Sequence, residues 1–509
     1  MVKTYAQCMD EISAERLYEG LLGYGLFSEK LPPIFTSEDF YLYCSSKKYN
    51  FQNKEHDYIT FEAMRNINTT RAIGIPNPMA YERLCSYLKL IWPCLQQHFY
   101  EQTSDDSHKV SRIHIRRLFD KKNLFEMNYE NWRIDGSPEV DLRNGCRYRV
   151  KADISTCFPS LYTHAIPWVL VGKEFAKAHR EGDWYNELDE RCRNIKNGET
   201  LGVLIGPHAF NLISEIILTA VDKELAGLGW KFTRHIDDYT CYVSSFSDAQ
   251  RFLQMLSKHL RNYGFLLNSK KTLIEEFPLC LEEHWVNLIN SINLKSSYGI
   301  TTYKEVCRYF DTAIELYQDN KNGAIFYYAF KALSNNEMSK NAQKYCVKTA
   351  FHLALNITYL VPVLQKNILE KFLVEKDDIK NFSDELFKKY IDLRYFEPIC
   401  YSIYFSLKYN FYLEAFDVDR INETAIFKHI MESDDCIVKL FLFLYCKKYW
   451  KHSAINKIFV DHALALQEND MDKNWLFVYE VLSEGQLKGD WISLKKQRVS
   501  FLATEFRYR

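Results

Sequence analysis

The chain has 509 residues, of which 47% are hydrophobic and 26% charged, so it has the composition of a folded protein and is too long for one ordinary core. A net charge of −1 gives no global sign of a nucleic-acid partner, although a local basic groove is compatible with it. The 14 cysteines form no Cys-x-x-Cys pair, which argues against a zinc ribbon or a redox dithiol and favours free thiols in a reducing compartment.

The N-terminus, MVKTYAQCMDEISAERLYEG, carries charges where a signal peptide needs an apolar core. Apolar runs such as LFLFLY (440–445) are far too short to span a bilayer. We therefore expect a cytoplasmic protein that does not act in a membrane.

The first three hundred residues mix strand and helix patterns. The predicted elements are, in chain order, a strand at 147–154, an amphipathic helix at 208–225, a β-hairpin at 232–243, a helix at 248–264 that ends in a glycine, and a strand pair or turn at 265–277. This order predicts an α+β unit in which helices pack on one face of an antiparallel sheet.

The second part of the chain has little glycine or proline and reads as long helices. Apolar residues recur at helical spacing in 342–361 and 436–450, and short polar turns separate helix-sized segments. We expect a stacked-helix array, although no repeat period is clean enough to name. The predicted domains are a mixed domain over 1–295 and an α-helical, repeat-like domain over 296–509.

The segment FTRHIDDYTCYV (232–243) places two carboxylates, Asp237 and Asp238, inside an apolar run. Neighbouring strand residues point to opposite faces, so one of the two should face inward unless both occupy a tight hairpin. Uncompensated charges in such a place are costly, and a cation or metal is the usual relief. Asp153, at the end of the predicted strand 147–154, supplies a third carboxylate for a two-Mg²⁺ phosphoryl-transfer site.

Five short segments, in this order along the chain, resemble the motifs of reverse transcriptases. They are RAIGIPNP (71–78), Asp153 with Phe158 five residues later, LGVLIGPHAFNLISEI (201–216), RHIDDY (234–239), which resembles Tyr-x-Asp-Asp, and LNSKKT (267–272). The resemblance covers roughly residues 65–280 and implies a reverse-transcriptase-like fingers-and-palm domain with nucleotidyltransferase activity.

Three further features are similar to the abortive-infection polymerases, the AbiK-like and prophage-encoded group of that family. They are EKLPPIF (29–35), LYTHAIPW (161–168) and a helical C-terminal half in place of a thumb. The resemblance implies a phage-defence DNA polymerase with a HEAT-like helical domain that assembles as a homo-oligomer. Such an enzyme uses dNTPs without a template and leaves single-stranded DNA covalently attached to its own tyrosine.

The resemblance also assigns roles at the metal site. Asp153 and Asp237 would bind both metal ions, Asp238 would support them and Ile154 would offer its backbone carbonyl; the ions would be Mg²⁺, with Mn²⁺ as the alternative. Phe158 would stack under the deoxyribose and exclude a 2′-hydroxyl. Taken alone, Asp153 would read as a strand-end or cap aspartate and Phe158 as a core residue.

Three more residues are expected to bind the nucleotide. Lys271 would protonate the leaving pyrophosphate, although Lys270 beside it leaves the register open. Arg71 would grip the triphosphate through its planar guanidinium, and Gly206 would let the backbone approach the nucleotide. A surface lysine, a salt-bridged arginine and a plain turn glycine are the alternative readings.

Three residues depart from the family pattern. His235 replaces the tyrosine of Tyr-x-Asp-Asp, Leu204 replaces a common proline, and Phe210 stands where a small polar residue is frequent. Phe210 either narrows the channel for a template or is neutral repacking. His235 is expected to be a hydrogen-bonded hairpin residue, not a metal ligand.

The sequence does not single out the priming tyrosine. The N-terminal candidates are Tyr5, Tyr18, Tyr24, Tyr41, Tyr43 and Tyr49, while Tyr239 is expected to be a packed strand residue. Two other functions stay open: a reverse transcriptase templated by a partner RNA, and an inactive palm used as a scaffold. The absence of a thumb pattern and the neutral charge weigh against the first, and the complete aspartate set against the second.

Overall fold

The structure is a computed structural model of the chain. It describes residues 3–46, 51–103, 115–118, 122–124, 137–280, 283–292, 294, 299–416, 421–450 and 453–508.

The N-terminal part is helical around one β-hairpin. Its elements are α1 (Tyr5–Asp10), α2 (Ala14–Tyr18), a π-helical turn (Glu19–Gly23), α3 (Glu38–Ser46), β1 (Tyr58–Met64), β2 (Thr70–Pro76), α4 (Pro78–Leu90) and α5 (Trp92–Thr103). β1 and β2 pair antiparallel, with Met64 opposite Thr70 at the tip. Helix α4 starts where Asn77 caps the amides of Met79 and Ala80 and Pro78 fixes the first helical φ.

The middle of the chain contains a four-stranded antiparallel sheet in the order β4-β5-β3-β6. The elements are α6 (Pro138–Leu142), β3 (Tyr148–Asp153), α7 (Cys157–Ser160), α8 (Ala165–Val171), α9 (Lys173–Ala178), α10 (Trp184–Asn194), α11 (His208–Gly227), β4 (Phe232–His235), β5 (Asp238–Val243), α12 (Phe246–Asn262) and β6 (Leu273–Glu276). Helix α12 packs on β3 and β5, and α11 packs beside it.

The predicted α+β unit is confirmed, and at 265–277, predicted as a strand pair or turn, the structure has a turn and the single strand β6. The hairpin predicted over 232–243 is β4–β5, and the helix predicted over 208–225 is α11. At the end of α12, Gly264 takes φ +88° and its amide bonds to the Arg261 carbonyl, while the Phe265 amide bonds to Leu260. This is the glycine C-cap that the sequence predicted.

The C-terminal part is helical, as predicted. Its elements are α13 (His284–Ser291), α14 (Tyr303–Asn320), α15 (Ala324–Ser334), α16 (Lys340–Asn356), α17 (Val361–Leu364), α18 (Lys376–Ile391), α19 (Phe396–Tyr409), α20 (Ala425–Met431), α21 (Cys436–Tyr449), α22 (Ser453–Asn469), α23 (Met471–Val481) and α24 (Asp490–Lys496), with short 3₁₀ and π-helical turns between some of them. Helices adjacent in sequence pack together, as in α14 with α15 and α18 with α19.

The helical part packs directly on the N-terminal part. Strand β1 contacts α19, α21 and α23, and Phe35 forms an isolated bridge with Leu502. Buried apolar residues form one continuous cluster across both parts. A domain boundary near residue 295 therefore stays a prediction.

The tip of the β1–β2 hairpin is held by the helical part. The Met64 amide donates to Glu397 Oε2 at 2.8 Å, the Asn66 side chain donates to Asn322 Oδ1 at 2.8 Å, and the Gly323 amide donates to the Asn66 carbonyl at 2.7 Å. We call these three contacts the hairpin clasp.

In the described part of the chain, no helix has the length and apolarity needed to cross a membrane. All of the cysteines are free thiols, and most are buried, as the sequence predicted.

The clasp predicts a pH-dependent stability. Burial raises the pKa of Glu397 from its ordinary 4.5 to about 7. As pH rises from 4.5 to 7, the unfolded chain loses this proton first, so the folded state loses up to about 3 kcal/mol of stability. We expect Glu397→Gln to remove this part of the pH dependence in urea unfolding between pH 5 and 8.

Glu484, which is exposed, supplies the matched control. Glu484→Gln should keep the pH dependence of the wild type. A Glu397→Gln variant with the same pH dependence as the wild type would contradict the prediction.

Candidate active site

The three predicted aspartates lie together at one end of the two central strands. Asp153 ends β3 and faces Asp238, the first residue of β5, in the strand register. Asp237 occupies the turn before β5, and its carbonyl accepts the Ile154 amide at 3.1 Å. The tight-hairpin alternative thus explains how two adjacent carboxylates fit into this segment.

The turn between β4 and β5 is strained. Ile236 has φ +58°, a left-handed conformation that β-branched residues rarely adopt. Such strain concentrates at functional sites, where the surrounding structure must maintain it. Here Arg234 Nη1 donates to the Ile236 carbonyl at 2.8 Å.

The Asp153 carboxylate is buried and is bonded from the LNSKKT segment. Asn268 Nδ2 donates to Oδ1 at 3.0 Å, and Lys271 Nζ forms an ion pair with Oδ2. Lys270 instead bonds through its amide to Asn268 Oδ1. Lys271, not Lys270, therefore approaches the aspartates, and Asn268 is a contact residue that the sequence analysis did not assign.

The carboxylates disfavour one another's charge. Burial and the charge of Asp153 raise the pKa of Asp237. Asp238 is exposed at the surface. Even so, partial desolvation and the negative charges of Asp237 and Asp153 raise the pKa of Asp238 to about 6. A bound cation would remove the repulsive part of these shifts.

The donor chemistry suits a hard divalent ion, because carboxylate oxygens are the ligands that Mg²⁺ and Mn²⁺ prefer. Within the described ranges, however, no three His, Cys, Asp or Glu side chains are gathered in a ready ion-binding cluster. The Lys271 ammonium group is paired with Oδ2 of Asp153 in this arrangement. Ion binding at Asp153 Oδ2 therefore requires Lys271 to move aside.

The other predicted nucleotide-binding residues lie on the elements around the aspartates. Arg71 is exposed on β2; partial desolvation and Arg65 lower its pKa, whereas Asp237 and Asp153 raise it. Phe158 is partly buried on α7, and its carbonyl accepts the Val203 amide at 2.9 Å.

Gly206 lies in the loop before α11, against strand β2. Its φ is +126°, and an added Cβ would lie 3.0 Å from Ile73 Cγ2 and 3.3 Å from the Gly74 carbonyl oxygen. The Gly74 amide also donates to the Ile205 carbonyl at 2.8 Å. The observed contacts of Gly206 are thus with β2, and its predicted contact with a nucleotide stays a prediction.

The departures from the family pattern have structural explanations. Phe210 is fully buried and belongs to the core, which favours neutral repacking over a narrowed channel. Leu204 is also buried and packs where an added Cβ on Gly74 would lie. His235 ends β4, opposite Asp238.

Several N-terminal tyrosines already have partners. The hydroxyls of Tyr5, Tyr18 and Tyr24 donate to Glu215 at 2.8 Å, Glu82 at 2.9 Å and Glu38 at 2.7 Å. Burial is the largest cause that raises the pKa of each, which disfavours the nucleophilic phenolate.

The remaining tyrosine predictions have mixed outcomes. Tyr43 is buried and Tyr41 partly buried, while Tyr49 lies outside the described residues. Tyr239 is buried in β5, as predicted for a packed strand residue.

Residues 89–277 match the family model described as "Reverse transcriptase (RNA-dependent DNA polymerase)". This segment of the chain is therefore reverse-transcriptase-like in sequence and fold. The match includes all three aspartates and Lys271, and it indicates a nucleotidyltransferase that belongs to the class using divalent metal ions. Arg71 and the helical part lie outside the reverse-transcriptase domain as matched. No curated protein matches the chain.

Solved telomerase structures show a distant likeness. An apo telomerase from Candida tropicalis truncated from its C-terminal domain has 16% identity and a TM-score of 0.30, covering 47% of this chain and 54% of its own. A Candida albicans telomerase with a telomeric RNA fragment has 11% sequence identity and a TM-score of 0.31, and the match covers 68% of this chain and 64% of the telomerase chain. Another apo telomerase from Candida tropicalis has 12% sequence identity and a TM-score of 0.32, and the match covers 75% of this chain and 76% of the telomerase chain. At these scores the likeness carries no functional conclusion.

The repulsion between the aspartates predicts a stabilising substitution. Because the folded state raises the Asp238 pKa from 3.8 to about 6, its stability falls as pH rises through this range. In EDTA at pH 8, we expect Asp238→Asn to raise the Tm by about 1–3 °C. The difference should shrink below about pH 3, under both pKa values, where this carboxyl is mostly protonated in the folded and the unfolded state.

Adding Mg²⁺ at pH 8 should narrow the same difference by stabilising the wild type more than the variant, which lacks one carboxylate, since ligands that bind the folded state raise its stability. An Asp238→Asn variant that is less stable than the wild type in EDTA would show that repulsion does not dominate here.

Proposed function

We propose that the protein is a DNA polymerase of the reverse-transcriptase family that extends DNA from its own tyrosine without a template. The proposal extends to a cytoplasmic homo-oligomer that acts in abortive infection by phage, with single-stranded DNA attached to the protein. The observation that carries its chemistry is the register of Asp153 against Asp238, with Asp237 in the adjoining turn. The similarity of the sequence motifs to the abortive-infection polymerases supports the biological role.

In this proposal the aspartates are the ion ligands. Asp153 and Asp237 hold two Mg²⁺ ions, with Mn²⁺ as the alternative, and Asp238 and the Ile154 carbonyl complete the set. The ions, when bound, supply positive charge to the attacking and leaving oxygens of phosphoryl transfer.

The surrounding residues would bind the dNTP. Lys271 turns from Asp153 towards the leaving pyrophosphate and donates a proton to it, while Arg71 binds the triphosphate. Phe158 lies under the sugar, and Gly206 lets the backbone approach the nucleotide closely.

Two observations support synthesis without a template. The hairpin clasp ties the strand pair that carries Arg71 to the helical part, so this hairpin is not free to close on a template duplex. The chain also lacks the net positive charge that holding a duplex usually requires.

The second candidate is an RNA-templated reverse transcriptase. The matching family description, an RNA-dependent DNA polymerase, favours it.

The deciding experiment is a template-free labelling assay. Purified protein is incubated with Mg²⁺ and labelled dNTPs and run on a denaturing gel. We expect label in the protein band that DNase removes, and Asp237→Asn should reduce incorporation about a hundredfold or more, the scale on which one charge-stabilising group acts. Mass spectrometry of the digested adduct identifies the tyrosine.

Label that appears only after an RNA template and primer are added would replace the proposal with the templated enzyme. Label that is unaffected by Asp237→Asn would refute the assigned site.

A further inference from the structure

A buried charge cluster lies behind the aspartate turn. Arg234 is only 1% exposed, and its guanidinium forms ion pairs with Glu215 and Asp222 of α11, both at 2.7 Å. Both carboxylates are buried as well. Burying such a cluster seldom stabilises a protein more than apolar packing would, so stability alone does not account for it.

The cluster bonds directly to the strained turn. Arg234 Nη1, which pairs with Glu215, also donates to the carbonyl of Ile236 at 2.8 Å. The next carbonyl along the chain, that of Asp237, accepts the Ile154 amide. Two successive carbonyls of the turn are therefore fixed from the protein interior, and these bonds help to offset the strain of a left-handed Ile236.

The N-terminal helix α1 joins the same cluster. Tyr5 donates its hydroxyl proton to Glu215 Oε2 at 2.8 Å, across 210 positions of sequence, and Arg234 Nη2 donates to the same oxygen at 3.1 Å. Burial and Glu215 raise the pKa of Tyr5, so its hydroxyl stays a donor. The bonds run from Tyr5 through Glu215 and Arg234 to Ile236.

We propose that Arg234 is a positioning residue that sets the aspartate turn for ion binding, and that Tyr5 orients Arg234 through Glu215. The inference rests on the proposed ion-binding role of Asp237 and Asp238. It makes Tyr5 a positioning residue and not the priming nucleophile. Residues that orient ion ligands from behind typically change metal affinity by about 10- to 100-fold.

A matched pair of substitutions tests the role of Tyr5. Tyr18 lies in the same N-terminal segment, is buried, and donates to the buried Glu82 at 2.9 Å, but this bond does not lead to the turn. Tyr5→Phe and Tyr18→Phe therefore each remove one hydroxyl bond to a buried carboxylate. The readout is Mn²⁺ affinity, titrated by electron paramagnetic resonance of the full chain, beside the Tm.

We expect Tyr5→Phe to weaken Mn²⁺ binding about tenfold and Tyr18→Phe to leave it unchanged, at similar losses of Tm. Arg234→Lys keeps the charge but loses the planar guanidinium that reaches Glu215, Asp222 and Ile236 together. It should weaken Mn²⁺ binding at least as much and lower kcat for nucleotide incorporation with little change in the KM for dNTP. If Arg234→Lys fails to fold, the tyrosine pair still decides.

Equal Mn²⁺ affinity in Tyr5→Phe, Tyr18→Phe and the wild type would overturn the inference. So would a Tyr5→Phe variant that loses only the protein-attached label, because Tyr5 would then be the primer. A wild type that binds Mn²⁺ through Asp237 but incorporates no nucleotide would refute the polymerase, while the affinities would still decide the role of Arg234. If Asp237→Asn bound Mn²⁺ as tightly as the wild type, both the proposed ion site and the role of Arg234 would be overturned.

Discussion

Mutual repulsion between three carboxylates is the constraint around which this part of the molecule is arranged. Asp153 and Asp238 face each other across β3 and β5, and the turn holds Asp237 next to them. Lys271 and Asn268 bond to Asp153 from one side. From the interior, Arg234 fixes the turn. Among these contacts, the Lys271 ion pair places a positive charge beside the carboxylates, as a divalent ion would.

Favourable and unfavourable interactions are therefore distributed unevenly over the fold. The core provides a large continuous apolar cluster, while the aspartate end of the sheet carries raised carboxylate pKa values and a left-handed Ile236. Strain and like charge at one place, supported by a rigid surrounding, are typical of a site prepared for a ligand. The rigid surrounding here includes an N-terminal helix and the long helix α11, which meet at Glu215.

Local pattern was sufficient to predict the sheet domain and its aspartates. An apolar, aromatic run indicates β4 and β5, helical periodicity specifies α11, and the glycine at 264 ends α12 as expected. The match of residues 89–277 to the reverse-transcriptase family confirms the fold that the motif order indicated. These features depend on residues close together in sequence, and so they are legible without a structure.

Features that depend on distant residues were not predictable in this way. The bond between Tyr5 and Glu215 joins positions 210 apart, and no periodicity marks either residue. The φ of Ile236 is imposed by tertiary contacts against its β-branched preference. The complete burial of Phe210 likewise follows from packing in three dimensions, so the sequence left its two readings open.

The hairpin clasp has a mechanical consequence. The β1–β2 hairpin is bonded at its tip to Asn322 and Gly323 and near its base through the bond between Gly74 and Ile205, so both of its ends are held. Arg71 lies between the two supports. A hairpin held at both ends resists bending, so the Arg71 guanidinium moves by rotation about its own side-chain torsions. Its reach is set by the length of one arginine and not by the swing of a hinge.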